Sequence, residues 1–439
     1  MLVRIALAYG TGEREVGLPE TSGGEPLRVD VLRKAAVAPL RDPAGALRAA
    51  LDAPSDAAPL ASLARGRRDA VIVVSDRTRP VPNAILLPPI LDALRRGGLS
   101  PGAVTVQIAT GLHRPATPDE LREILGPELA QTLRVVQHDA NDAAAHVDLG
   151  TTRGGLPIQI DRFFVESDLR IVTGLVEPHL MAGYSGGRKA VCPGLASVET
   201  IRVAHGPEML EGHVGAGLVE ANPLHDALVE VVRRVGVHFS VQVALDRERR
   251  IAGVFCGDVE TSHEEAVRFV EAESHVALGE PADLVVVSGG GAPLDATFYQ
   301  AIKGIAAAAA IVKPGGAILL CASLAEGVGS PSFERCLRES GGAMAFEAKL
   351  SDPSFFCVDQ WMVQCLCQAL RRARVLLYSD GLSPDVQRSL FVEPVPSPEA
   401  GVALALRGAG PRARVAVVPQ GPYVLATVRG ERRGLGRSA

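Results

Sequence analysis

The seven cysteines of this chain (Cys192, Cys256, Cys321, Cys336, Cys357, Cys365 and Cys367) contain no CxxC pair and no zinc-ribbon spacing. That excludes a thiol-ligated zinc module, and the odd count argues against a closed disulfide framework; reduced, mostly buried thiols are expected. The sequence also lacks any block of like charges, and its formal net charge is only −5. No nucleic-acid partner and no membrane surface is therefore expected. The longest apolar stretch, "GIAAAAAIVKPGGAILLCASLA", is broken by Lys313, Pro314 and two glycines. It falls short of the roughly 20 continuous apolar residues of a membrane span and reads as helix, turn and buried strand. The amino-terminal "MLVRIALAYGTGEREVGLP" has neither the long apolar core nor the small-residue cleavage site of a secretory signal, so a cytoplasmic location is expected. Aromatic residues are scarce at 4%, and that scarcity carries no functional inference.

What is present is a repeating grammar of short apolar runs that end in Gly, Ser, Asp or Thr. "AVIVVSD" (70–76), "AVTVQIATG" (103–111), "LRVVQHD" (133–139) and "LRIVTG" (169–174) alternate with helix-like segments such as "PNAILLPPILDALRRGG". A second series, "ADLVVVSGGG" (282–291), "GGAILLCAS" (315–323), "RVLLYSDG" (374–381) and "RVAVVPQG" (414–421), follows it. The chain of 439 residues is too long for one ordinary core, so two α/β domains with parallel or mixed sheets are expected. The polar turn around Gly279–Pro281 marks the boundary, giving an N-terminal domain over 1–279 and a C-terminal domain over 280–420. The tail 421–439 is a candidate to complete the first domain, and "VRIALAYG" and "GPYVLATV" are candidates to pair at a sheet edge.

Open α/β sheets hold ligands beyond the carboxyl ends of their strands, so unusual polar residues matter most there. "SDRTRPVP" (75–82) puts Asp76 and Arg79 at one such end, and "ATGLHRPAT" puts His113 and Arg114 at the next. Taken singly, a helix-capping aspartate and a surface arginine are adequate readings. "EPHLMAGYSGGRKAVCPG" (177–194) then supplies His179, Ser185, Gly186, Gly187, Arg188, Lys189 and Cys192. A hydrolase elbow requires the serine directly between strand and helix, yet the apolar strand ends near Gly174, some eleven residues earlier. The Walker phosphate-loop pattern fails as well, because Arg188 stands where a glycine is required. A Gly-rich anion nest with Ser185 donating and two cations nearby is what remains. In "ASVETIRVAHGPEML", Ser197 caps a helix that ends at Gly206, with His205 at its carboxyl end as either a dipole-complementing surface residue or a metal ligand. In "LVVVSGGGAPLDATFYQAIKG" a helix is expected to begin near Asp295, with Gln300 and Lys303 at i, i+3 on one face. Trp361 either fills core volume or covers a ligand.

These motifs, in this order and over most of the chain, resemble the nickel-pincer-nucleotide-dependent lactate racemases and related 2-hydroxyacid racemases and epimerases. The resemblance implies two α/β domains with an interdomain active-site cleft. The implied cofactor is a pyridinium-3-thioamide-5-thiocarboxylic acid mononucleotide that holds nickel through sulfur, carbon and sulfur. By the same resemblance, Lys189 is its covalent attachment point and His205 completes the nickel coordination. His113 and His179 become the acid/base pair, each expected to titrate near neutrality. Asp76, Ser185, Gly186, Gly187, Arg188 and Trp361 surround the cofactor; Arg79, Gln300 and Lys303 surround the substrate. The implied partners are a small 2-hydroxyacid and the enzymes that make the cofactor. No feature specifies an oligomeric state.

A lactate-like monocarboxylate and a malate-like dicarboxylate both fit the resemblance, the latter if Arg77 or Arg114 binds a second carboxylate. The alternatives are a serine hydrolase using Ser185 and a non-catalytic nucleotide- or nickel-binding protein.

Overall fold

The computed structural model describes residues 2–352, 355–407 and 409–430. Its chain opens with an antiparallel hairpin of β1 (Leu2–Tyr9) and β2 (Gly12–Pro19). The turn is tight because Gly10, at φ +54°, accepts a left-handed backbone that a side chain would oppose. β1 therefore spends its hydrogen bonds on β2, and the expected pairing with the carboxyl-terminal segment does not occur. Next comes β3 (Arg28–Val31), whose partner is supplied only much later in the chain.

The first sheet follows: β4 (Ala70–Ser75), β5 (Val104–Ala109), β6 (Arg134–Gln137), β7 (Leu169–Leu175), β8 (Phe239–Leu245) and β9 (Ile251–Gly257). Its spatial order is β9-β8-β7-β4-β5-β6, parallel except where β9 turns back on β8. Helices cover both faces, which is why β4 reads as an uninterrupted apolar run instead of an alternating one. Its side chains alternate between two cores: Ile72 and Val74 enter one, Val71 and Val73 the other.

A crossing strand, β10 (His275–Leu278), pairs in parallel with the last strand, so residues 425–428 do return to the segment before Gly279. Residues 431–439 of the expected tail lie outside the described residues. The second sheet consists of β11 (Ala282–Ser288), β12 (Val312–Cys321), β13 (Arg374–Tyr378), β14 (Glu393–Pro394) and β15 (Arg414–Val418), with β3 at its edge. The order is β14-β13-β12-β11-β15-β3, parallel throughout. Sheet membership thus differs from sequence order, because residues 28–31 belong with 414–418. Leu284 and Val286 face the hairpin core that holds Leu7 and Leu18, while Val285 and Val287 join Val71 and Val73 in one continuous cluster. The two sheets therefore share buried surface.

In each sheet the strand order reverses once, between β4 and β7 and between β11 and β15. Crevices open at such reversals because successive crossover helices leave on opposite faces. Leu319, in the carboxyl half of β12, is fully buried, so Leu319→Ala is expected to cost about 2–5 kcal/mol of stability in denaturant melts. Met344→Ala, at a side chain 86% exposed, should shift stability by less than about 0.5 kcal/mol.

Candidate active site

At the carboxyl end of β4 the chain turns through Asp76. One carboxylate oxygen accepts from Thr78 Oγ1 at 2.6 Å, and the other lies 2.7 Å from His113 Nδ1. His113 arrives from the end of β5 and His179 from the short hairpin after β7, so the two imidazoles come from strands on either side of the Asp76 strand. Burial pushes the Asp76 carboxyl up, but the bonds from His113 and Thr78 and the field of Arg79 outweigh it and hold the group below its ordinary value. An ionised Asp76 fixes the proton on His113 Nδ1 and leaves the Nε2 lone pair open.

His179 has the opposite polarity. Its Nδ1 accepts the backbone N–H groups of Met181 and Ala182, both at 3.2 Å, so the neutral ring carries its proton on Nε2. Burial lowers its pKa well below the usual value, with Lys189, Lys303, Arg79 and His205 adding to the shift. The expectation that both histidines titrate near neutrality is thus corrected for His179: a desolvated imidazole ringed by cations stays uncharged.

Below them lies Lys189, whose amine is pushed down to about 7 by burial and then by Arg79 and Arg188. His205 caps the helix Val198–Ala204 and donates Nδ1–H to Ile201 O at 3.1 Å, leaving Nε2 as a lone pair. Burial, helped by Lys189, takes this imidazole down to about 3. Cys192, by contrast, is pushed up to about 12 by burial and stays a neutral thiol behind the wall.

The second domain contributes a wall through the helix Phe298–Ala309, capped by Thr297 rather than starting at Asp295. Asp295 turns inward and accepts from Gly10 N at 2.8 Å and Ser323 N at 3.2 Å. Lys303 Nζ donates to Gln300 Oε1 at 2.6 Å, one helical turn apart on the face that looks into the cavity. The helix Gln360–Arg372 sets the Trp361 ring 4.9 Å from that of His205, with its Nε1–H donating to Tyr299 Oη at 3.0 Å.

A single cavity is thereby lined by Asp76, Arg79, His113, His179, Ser185, Gly186, Lys189, His205, Gln300, Lys303 and Trp361. Gly187 and Arg188 lie behind it. The Gly187 N–H is spent on Gln242 Oε1 at 2.8 Å, and Arg188 donates to Ala182 O at 2.7 Å and to His263 Nε2 at 2.6 Å. The Gly-rich turn is therefore a packing device more than an open anion nest: a Cβ on Gly186 would stand 2.6 Å from Gln242 Oε1. Ser185 Oγ donates to Leu175 O at 2.7 Å and accepts from Glu177 N at 3.0 Å. Among the described residues no imidazole bonds that hydroxyl, which removes the geometric basis of the hydrolase reading.

Two cavity residues, Tyr299 and Asp359, and the nearby Glu177 escape inspection of the sequence. Tyr299 is adjacent to the Gln300/Lys303 pair but resembles any helix aromatic. Asp359, only 7% exposed and at φ +72°, accepts from Ser330 Oγ at 2.5 Å. Glu177 sits 3.7 Å from Arg79 Nε. The strained backbone at Asp359 is the one signal that marks it, and it is a three-dimensional one. Among the described residues no group of three or more His, Cys, Asp and Glu converges as a metal site, and no helix is long and apolar enough to cross a membrane.

Comparison with known proteins adds a second line. The sequence models described as the lactate racemase N-terminal domain and C-terminal domain match residues 9–217 and 278–426. The lactate racemase of Thermoanaerobacterium thermosaccharolyticum is 33% identical over 384 residues, 86% of this chain and 89% of that one. The lactate racemase of Lactiplantibacillus plantarum is 34% identical over 379 residues, 85% and 89% of the respective chains. The structure of the T. thermosaccharolyticum lactate racemase apoprotein superposes with a TM-score of 0.89 at 31% identity, covering 97% of this chain and all of that one. A Thermotoga maritima protein at 17% identity and TM-score 0.67 shares the fold.

Because Lys189 is deprotonated through about 7, its fraction of reactive amine should rise between pH 6 and 8. Competitive labelling with an amine-reactive reagent, read by peptide mass spectrometry, should show half-maximal Lys189 modification near neutrality. Exposed lysines should reach it only around pH 10.

Proposed function

Because the chain belongs to the lactate racemase family, we propose that it inverts C2 of a small 2-hydroxymonocarboxylate with the help of a nickel-pincer nucleotide tethered through Lys189. The observation that carries this reading is the pair of imidazoles of opposite proton polarity in one cavity with Arg79 and Lys303.

The residues fit such a cofactor. Lys189 offers an amine that is substantially neutral near pH 7 for covalent attachment, and His205 presents an uncharged Nε2 to the same space. Imidazole nitrogen suits nickel, and Trp361 shields this histidine from solvent. When bound, the group would supply a nickel-containing acceptor for the C2 hydrogen and its electron pair.

The chain supplies the rest. Arg79 and Lys303 hold the substrate carboxylate, so that C2 stays in place while its hydroxyl changes sides. His113 Nε2 takes the hydroxyl proton, and Asp76 stabilises the resulting imidazolium through Nδ1. His179 Nε2–H donates a hydrogen bond to the oxygen on the other side, and the proton held by His113 returns to that oxygen as hydrogen comes back to the other face, so both imidazoles end the turnover neutral. Removing C2–H as a proton would put a carbanion beside the carboxylate; removing it with its electrons leaves a neutral ketone carbon and avoids that charge.

The dicarboxylate alternative finds less support. Arg77 is bound to Glu120 at 3.0 Å and to Glu326 at 2.6 Å, and Arg114 contacts Glu120 at 2.5 Å. Two guanidiniums facing two carboxylates leave no free charge for a second acid group, and buried Asp359 would repel one. A lactate-like substrate is favoured.

In protein carrying the cofactor, His113→Ala and His179→Ala should each lower kcat for racemisation about 10²–10⁴-fold. The covalent adduct should persist in both and be absent from Lys189→Ala by intact mass. Asp76→Asn should lower kcat with little change in KM, because it frees the His113 tautomer. Full turnover in either histidine variant, or an adduct on Lys189→Ala, contradicts these roles.

A further inference from the structure

A second cavity, of about 580 Å³, lies across the loop that follows β7, and no part of the proposed reaction uses it. It sits where the strand order of the second sheet reverses: Gly290 and Gly291 follow β11, while Gln420 and Tyr423 follow β15. The reacting groups occupy the corresponding place on the first sheet, between β4 and β7. Such reversals are where open α/β sheets bind small molecules, and the volume is that of a typical ligand pocket.

Its charges do not cancel. Lys34 is paired with Glu273 at 2.5 Å, Asp246 with Arg250 at 2.7 Å, and Glu177 with Arg79 at 3.7 Å. Arg247 and Arg249, on the turn after β8, line the same cavity and have no carboxylate within ion-pair distance among the described residues. Arg249 occupies a left-handed turn position at φ +62°, where glycine or asparagine is the ordinary choice. On the facing side Gly290 and Gly291, at φ +105° and +71°, form a buried turn whose Gly290 N–H is spent on Ser288 Oγ at 2.8 Å. A Cβ on Gly291 would stand 3.3 Å from the Ala8 Cβ. Leu175, Val176, Leu245 and Val270 give this space an apolar floor.

We propose that this cavity is a binding site for a small organic anion, its charged group between Arg247 and Arg249 and its body on the apolar floor beside Tyr423. Two guanidiniums without ion-pair partners recognise a phosphate monoester or a carboxylate by the same chemistry. Glu177 forms part of the dividing wall, so the site is separate from Arg79 and from the place of the hydroxyacid.

Calorimetric titration of the full chain with inorganic phosphate, adenosine monophosphate and succinate tests this without requiring nickel or turnover. Saturable binding of at least one is expected, and the arm that binds separates phosphate from carboxylate recognition. The double variant Arg247→Ala/Arg249→Ala, altered only at exposed side chains, should weaken that binding about tenfold or more. Lys303→Ala, which alters the first cavity, should leave it unchanged. Failure of all three ligands to bind, affinity retained in the double arginine variant, or affinity lost in Lys303→Ala overturns the proposal.

Discussion

Desolvated positive charge is the constraint on which the site depends. Arg79, Lys189 and Lys303 are recessed in one cavity whose nearby acids are Asp76, Glu177 and Asp359. Each added proton there meets both a dielectric penalty and repulsion from its neighbours. The groups respond by holding their protons less tightly: the Lys189 amine is pushed to about 7, His205 to about 3, and His179 well down, while Lys303, also lowered, regains its proton against a bound carboxylate. An uncharged amine is a nucleophile and an uncharged imidazole is a ligand or proton donor. A single electrostatic condition thus suits Lys189, His205 and His179 to the roles proposed for them.

The fold supplies that condition by topology. Both sheets bury their strands on two faces, and the charged residues of the site stand beyond strand ends, three of which the reversal between β4 and β7 gathers around one crevice. Helix Phe298–Ala309 and Trp361 close it from the second sheet. Asp76 is the exception to the neutral pattern, held ionised by His113 and Thr78, and that exception orients the proton on His113. The two histidines therefore differ in where they hold a proton, through their carboxylate and backbone partners.

Much of this was legible in the sequence because strand ends announce themselves. Asp76 and His113 follow apolar runs that are buried on both sides, and Gln300 and Lys303 stand one helical turn apart. What escaped depends on contacts between distant segments. Arg28 pairs with Arg414, so the membership of β3 in the second sheet has no local signature. The Gly-rich turn looked like an anion cradle because nothing nearby reveals that Gln242, 55 residues on, captures the Gly187 amide. The depressed pKa of His179 likewise comes from burial and from cations on several separate elements, none visible in the residues beside it.

The buried imidazoles of the site remain uncharged in the folded protein. Nitrogen-15 imidazole chemical shifts of the cofactor-free protein, followed from pH 8 to pH 5, measure this directly. The account predicts that His205 and His179 stay neutral throughout, with the proton on Nδ1 of the former and on Nε2 of the latter. Protonation of either ring with a midpoint near 6.5, while the fold is intact, would contradict it.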